Sequence, residues 1–260
     1  MSCRREIANF SAYGDRGEVW FGQQSAKLML SYLRQHYPAL SYPSTASLGP
    51  FILDLGTGNG HLLFSLCCVR DEKEEEEEDY DEDEERKDSL IATPDRLCGV
   101  DYSSASIQLC QKIASAATAP AGVNIGDIAW KVLDMLNCAA VSQVGQFDIL
   151  LDKGTFDAIA LASCAVGVAE SEEKADSHNW SQSTPLETYI SNLAPLSAPS
   201  PDSLLLITSC NFTAQELIAR IHAASQGAWK HHETLPPKKE FSFGGQKGST
   251  TCCVAFKRNL

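Results

Sequence analysis

At 260 residues, 43% of them apolar, the chain has material for one α/β domain with insertions, and no run of 18 apolar residues offers a membrane-spanning helix. The formal charge of −13 misleads, because residues 71–87 hold thirteen acids and three bases and the rest carries only −3. The fold proper is therefore nearly neutral, which argues against nucleic acid as its partner.

The first ten residues, MSCRREIANF, have no apolar run behind their charges and are not expected to act as a secretory signal. Gly14 and Gly17 mark a turn, and the spacing of Ala26, Leu28, Met29, Leu30, Tyr32 and Leu33 predicts an amphipathic helix ending near Pro38. Trp20 stands between turn and helix. It is a candidate lid or aromatic wall beside a cationic ligand, although packing against a sheet is the plainer reading of a tryptophan. Residues 39–50, rich in Ser and Pro, read as a linker.

The next stretch, FILDLGTGNGHLL at 51–63, organises the chain. Phe51, Ile52 and Leu53 read as a buried parallel strand closed by Asp54. Gly56, Thr57, Gly58 and Gly60 form a tight turn, and a helix starts at His61. Dinucleotide folds need G-x-G-x-x-G, with a phosphate on the helix N-terminus. Here the third glycine comes one residue early, and the Asp54 carboxylate would repel a pyrophosphate but suit a cation. S-adenosylmethionine has an ammonium and a sulfonium and no phosphate. D-x-G-x-G-x-G is the usual signature of methyltransferases that bind it.

The acidic run at 71–89 self-repels and is expected to be a disordered insertion in the first crossover. A nucleotide-binding unit places an acid roughly 20 residues past its glycines to hold the ribose hydroxyls. Asp101, closing the apolar strand at 97–100, lies further along, and removing the acidic run restores the expected gap. Tyr102 beside it can lie on the adenine or ribose, and Ser103 or Ser104 can cap the next helix. Residues 130–133 read as a third strand. Asp134 at its end can accept the adenine amino hydrogen, with Met135 covering the ring, or can equally serve as a helix cap. Residues 147–151 make a fourth strand, and Asp152 follows at the carboxyl end, where ligands bind in such sheets. A plain strand–turn–helix junction with Asp157 near the helix start explains the same residues. Residues 163–202 read as irregular, with one helix near 186–196. A fifth strand at 204–208, a helix at 213–223, a sixth strand at 229–234, a loop at 241–245 and a last strand within 250–257 complete the chain. The ten cysteines form no C-x-x-C pair, which argues against zinc, and several lie in apolar runs, as free thiols in a reducing compartment do.

Six separated motifs run in order along the chain: YGDRGEVWFG at 13–22, ILDLGTGNG at 52–60, GVDYS at 99–103, DKGTFDAI at 152–159, ITSCNFT at 207–213 and FSFGG at 241–245. In these the chain resembles the lysine methyltransferases of translation elongation factor 1-alpha, within the seven-strand methyltransferases. The resemblance implies one Rossmann-like α/β domain over 1–260: a seven-stranded sheet, mostly parallel with one antiparallel strand, and helices on both faces. It implies S-adenosyl-L-methionine as cofactor and no metal. Trp20, Asp54, Gly56, Thr57, Gly58, Gly60, Asp101, Tyr102, Asp134 and Met135 would contact the cofactor, and Asp152 would serve catalysis at the methyl end. The implied substrate is a protein, elongation factor 1-alpha, met by a monomer in the cytoplasm or also the nucleus, with no nucleic acid or membrane partner. Three features depart from the family: the acidic insertion, the long 163–202 stretch, and a start close to Tyr13, where the family has a further helix. Three rival readings stand beside this one. They are a small-molecule methyltransferase, an NAD-linked oxidoreductase (opposed by Asp54 and the early glycine), and a non-catalytic interaction module, opposed by the intact Asp54, Gly56, Gly58 and Asp101.

Overall fold

The computed structural model describes residues 3–40, 48–67, 90–120, 122–170, 183–236, 241–243, 246–248 and 250–260. The acidic run expected to be disordered lies outside them. The chain divides into two compact units, Met1–Leu133 and Asp134–Leu260.

The first unit holds α1 (Cys3–Tyr13), α2 (Gly22–His36), β1 (Ile52–Leu55), α3 (His61–Leu66), β2 (Leu97–Asp101), α4 (Ser104–Ala116) and β3 (Ala129–Val132). Its strands are parallel, with Leu53 opposite Cys98 and Cys98 opposite Ala129. Every residue of β1 and β2 is buried, as their continuous apolar runs require. Asp54 and Asp101 are thus the last or next-to-last residues of strands rather than the loop residues after them. Phe51 lies outside β1, 41% exposed, with the Arg96 guanidinium 4.0 Å over its ring. The expected cap of α4 is present: Ser103 Oγ accepts the Ser106 N–H. Part of the expected linker is stapled down, because Thr93 N–H donates to the Leu48 carbonyl and Leu48 N–H to the Thr93 hydroxyl.

The helix expected to be missing before Tyr13 is present as α1. With Ile7 and Phe10 as its only large apolar pair before Tyr13, it shows little periodicity, and a helix of this length needs tertiary support. It rests on α4, where Lys112 Nζ donates to Ser11 Oγ at 3.1 Å.

The second unit holds α5 (Cys138–Val141), β4 (Ile149–Lys153), α6 (Thr155–Glu170), α7 (Pro185–Leu196), β5 (Leu204–Ser209), α8 (Ala214–Ala224), β6 (Trp229–Leu235), β7 (Phe241–Phe243), β8 (Gln246–Gly248) and β9 (Cys252–Arg258). β4 and β5 are parallel, with Asp152 opposite Ile207. β9 runs antiparallel to both β5 and β6. Seven strands share one mixed sheet of order β3-β2-β1-β4-β5-β9-β6, and β7 and β8 pair as a separate hairpin. The expected loop at 241–245 is therefore partly strand. Phe241, Ser242 and Phe243 alternate with period two ahead of two glycines, which is a hairpin pattern. The helix expected near 186–196 is present as α7, and the 163–202 stretch is less irregular than expected in that α6 continues to Glu170. α7 and α8 both start with complete capping boxes, Thr184 with Glu187 and Thr213 with Glu216.

Candidate functional site

In the first unit the glycine turn is fastened at both ends. Asp54 is 3% exposed, and its Oδ2 accepts the Thr57 hydroxyl at 2.7 Å. Thr57 N–H donates to the Val100 carbonyl on β2. Thr57, expected to touch a cofactor, is buried and spends these two groups on the turn itself. Gly56, Gly58 and Gly60 all have positive φ, at 67°, 57° and 78°. The Gly58 N–H donates to Asp101 Oδ2 at 3.0 Å, and Asp101 Oδ1 accepts the Ser103 N–H at 2.9 Å. One carboxylate thus ties the β1–α3 turn to the β2–α4 turn. The Cys110 thiol donates to the Gly58 carbonyl from α4. The Asn59 side-chain amide donates to the Arg16 carbonyl, four residues before Trp20.

Gly58 and Gly60 are glycine for different reasons. A Cβ on Gly58 would meet nothing within 4 Å, whereas one on Gly60 would lie 2.7 Å from the Phe64 ring and 2.8 Å from the Trp130 indole. Gly99 faces the same indole, with its Cβ position 2.5 Å away. Trp130 is thus a packing residue on which two glycines depend. Open space at Gly58, whose N–H is held by the buried Asp101 carboxylate, is a cradle that fits a ribose-bearing ligand, and the buried acid Asp54 two residues before Gly56 suits a cationic one. Burial lifts the Asp101 carboxyl above its ordinary value, opposed by the two N–H bonds it accepts. Trp20 and Tyr102 are 60% and 81% exposed, and the Trp20 ring lies beside that of Phe21 at 6.4 Å.

In the second unit Asp134 is exposed, and its Oδ1 accepts the Leu136 N–H at 2.9 Å. Met135, expected to cover an adenine, is 5% exposed, and its carbonyl accepts the Asn192 amide. That side chain is already spent on the interior. Leu136, 37% exposed, offers the apolar surface at this strand end.

Asp152 has no exposed surface. Its oxygens accept the Thr155 N–H at 2.8 Å, the Phe156 N–H at 3.0 Å and the Tyr189 hydroxyl at 2.5 Å. Burial pushes its carboxyl up to about 7, against the lowering effect of these bonds. The carboxylate holds the first turn of α6 and the α7 tyrosine together, so it meets an incoming group only if that enclosure opens. Tyr189 had no local signal in the sequence. Asp157 had one, as a first-turn acid, but its use was illegible. It is 2% exposed and accepts the Ser209 hydroxyl at 2.6 Å and the Cys210 N–H at 2.7 Å. Phe156 packs edge-on against Phe212 at 5.3 Å. The DKGTFD and SCNFT motifs are therefore two halves of one structure.

A family model described as a methyltransferase domain matches residues 49–251. Protein-lysine N-methyltransferase efm4 of Schizosaccharomyces pombe is 34% identical over 97% of this chain and 88% of that protein. EEF1A lysine methyltransferase 2 of Homo sapiens is 31% identical over 98% of this chain and 81% of its own length. Among solved structures, the methyltransferase domain of bacterial CtHen1 superposes with a TM-score of 0.50 at 12% identity, over 90% of this chain and 98% of that one, a likeness of fold.

Proposed function

The chain belongs to the elongation factor 1-alpha lysine methyltransferase family, and from that premise we propose that it methylates a lysine side chain of elongation factor 1-alpha, with S-adenosyl-L-methionine as its cofactor. The observation that carries this reading is the open space at Gly58, whose N–H the buried Asp101 carboxylate accepts, on a turn that the buried Asp54 carboxylate fastens through Thr57. The names of relatives matched over nearly the whole chain support the substrate. When bound, S-adenosylmethionine supplies an electrophilic methyl group on a sulfonium.

Asp54 contributes negative charge toward the methionine ammonium, and the Asp101 oxygens keep lone pairs for the ribose hydroxyls. Tyr102 and Trp20 offer ring faces to the ligand, and Asp134 accepts from the adenine amino group. The substrate lysine must lose a proton, to water, before its nitrogen lone pair can attack an electrophile. Position and exclusion of water supply most of the acceleration. Asp152 acts at the methyl end as a positioning residue, through Tyr189 and the start of α6. The protein works as a monomer in the cytoplasm. The free, buried thiols Cys98, Cys110 and Cys253 suit a reducing compartment.

The test is incubation of the purified protein with elongation factor 1-alpha and cofactor, followed by mass spectrometry of its peptides. Added methyl groups on a lysine are expected. Unmodified elongation factor, with methylation of a small molecule instead, would overturn the proposal.

A further inference from the structure

The Ser209–Cys210–Asn211–Phe212 turn is held more firmly than connecting β5 to α8 requires. The buried Asp157 carboxylate takes the Ser209 hydroxyl and the Cys210 N–H. Ser209 Oγ in turn accepts the N–H groups of Asn211 and Phe212 at 3.3 and 3.2 Å. The Phe212 carbonyl accepts the Cys252 thiol from β9 at 3.2 Å. The Phe212 ring is fixed by Phe156 on one side and carries the Arg220 guanidinium 4.8 Å from its centroid. Four consecutive residues are thus immobilised, and what they present outward is small: the exposed side chains of Cys210 and Asn211. The Asn211 amide oxygen accepts the neighbouring Cys210 thiol at 3.7 Å and keeps its second lone pair for another donor. A rigid mount under one exposed polar group is how a ligand-orienting residue is built.

Its place indicates the ligand. β4 and β5 are parallel, so the turn at Asn211 stands at the same carboxyl edge as the Asp152–Thr155 turn, where ligands of open α/β sheets bind. Resting on the lysine-methylation reading above, we propose that Asn211 orients the substrate lysine by accepting an N–H of its amine, and that Asp157 positions Asn211. A neutral amide suits this task better than a carboxylate. An anion would hold the lysine as its ammonium and raise its pKa, withdrawing the lone pair that must attack. An amide oxygen aims the amine without stabilising its charged form.

The experiment measures methyl transfer to elongation factor 1-alpha across pH for wild type, Asn211→Ala, Asn211→Asp, Asp157→Asn and the Asn211→Ala/Asp157→Asn double variant. Calorimetric affinity for S-adenosylhomocysteine serves as control. Asn211→Ala should slow transfer by roughly tenfold at every pH, with cofactor affinity within about twofold of wild type. Asn211→Asp should move the pH–rate profile toward alkaline pH by about one unit, because its charge retains the lysine proton. Asp157→Asn should slow transfer, and the double variant should be no slower than the slower single one, since both act through one group. Wild type that fails to modify elongation factor removes the function on which this rests. Active wild type beside an equally active Asn211→Ala, or an Asn211→Asp profile unmoved on the pH axis, overturns the Asn211 role alone. Additive losses in the double variant overturn the role of Asp157.

Discussion

Replacing Asp101 with alanine separates two consequences that the structure joins in one carboxylate. The first is cofactor affinity. Loss of a charged acceptor for the ribose hydroxyls costs about 1.5–3 kcal/mol, or roughly 10- to 150-fold in Kd. The second is the fold. Asp101 accepts the Gly58 N–H at 3.0 Å and the Ser103 N–H at 2.9 Å, and both lose their acceptor. At about 0.5–1.5 kcal/mol each, this lowers the melting temperature by roughly 2–12 °C in a chain of this size. Calorimetry with S-adenosylhomocysteine, well below the variant's melting temperature, reads the first effect, and thermal denaturation reads the second. Asp101→Asn keeps one acceptor oxygen and should fall between wild type and alanine on both. The carboxyl is raised by burial, so the ionised form that binds the hydroxyls is lost on acidification earlier than for an ordinary aspartate. Affinity should therefore weaken as pH falls through that raised value. Folding responds in the opposite sense. A carboxyl raised in the folded state contributes stability below its unfolded pKa, and that contribution is lost as pH rises through the folded one. A folded Asp101→Ala protein that binds S-adenosylhomocysteine as tightly as wild type would refute the ribose assignment.

The two turn glycines should fail differently. Gly60→Ala combines a positive φ with contacts of 2.7 and 2.8 Å to Phe64 and Trp130. Overpacking then adds about 1–3 kcal/mol to a left-handed penalty of about 1–2 kcal/mol, whereas Gly58→Ala bears the backbone penalty alone but fills the cradle. Thermal denaturation should rank the Gly60 variant as less stable and calorimetry the Gly58 variant as the weaker binder; the reverse order would refute the cradle. For Asp152, pushed up to about 7, the stability contribution is complete below the unfolded value of about 3.9 and lost as pH rises through about 7. This group should therefore make the wild-type melting temperature fall between about pH 4 and pH 7, a slope absent from Asp152→Asn. Turnover of Asp152→Asn should fall roughly tenfold or more, and Tyr189→Phe, which breaks the same 2.5 Å bond, should match it. A slow Asp152→Asn enzyme beside a normal Tyr189→Phe one would contradict the positioning role.

The chain's local sequence determined where its strands end and what stands there. Short apolar runs that end at or beside Asp54, Asp101 or Ser209 declare buried parallel strands, and glycines at 56, 58 and 60 declare a turn of positive φ. Such patterns are legible because burial and backbone dihedrals act on neighbouring residues. Partner choice is not local, and only the tertiary structure decided it. Gly58 reaches Asp101 across 43 positions, Tyr189 reaches Asp152 across 37, and Ser209 reaches Asp157 across 52. The same distance hid the reason for Gly60, whose absent side chain is replaced by an indole from β3. It also hid α1, which has too few apolar residues to show a period until α4 supplies the surface it rests on. The same holds for Met135 and Leu136: adjacent apolar residues at a strand end are equivalent in sequence, and packing alone selects which one faces inward.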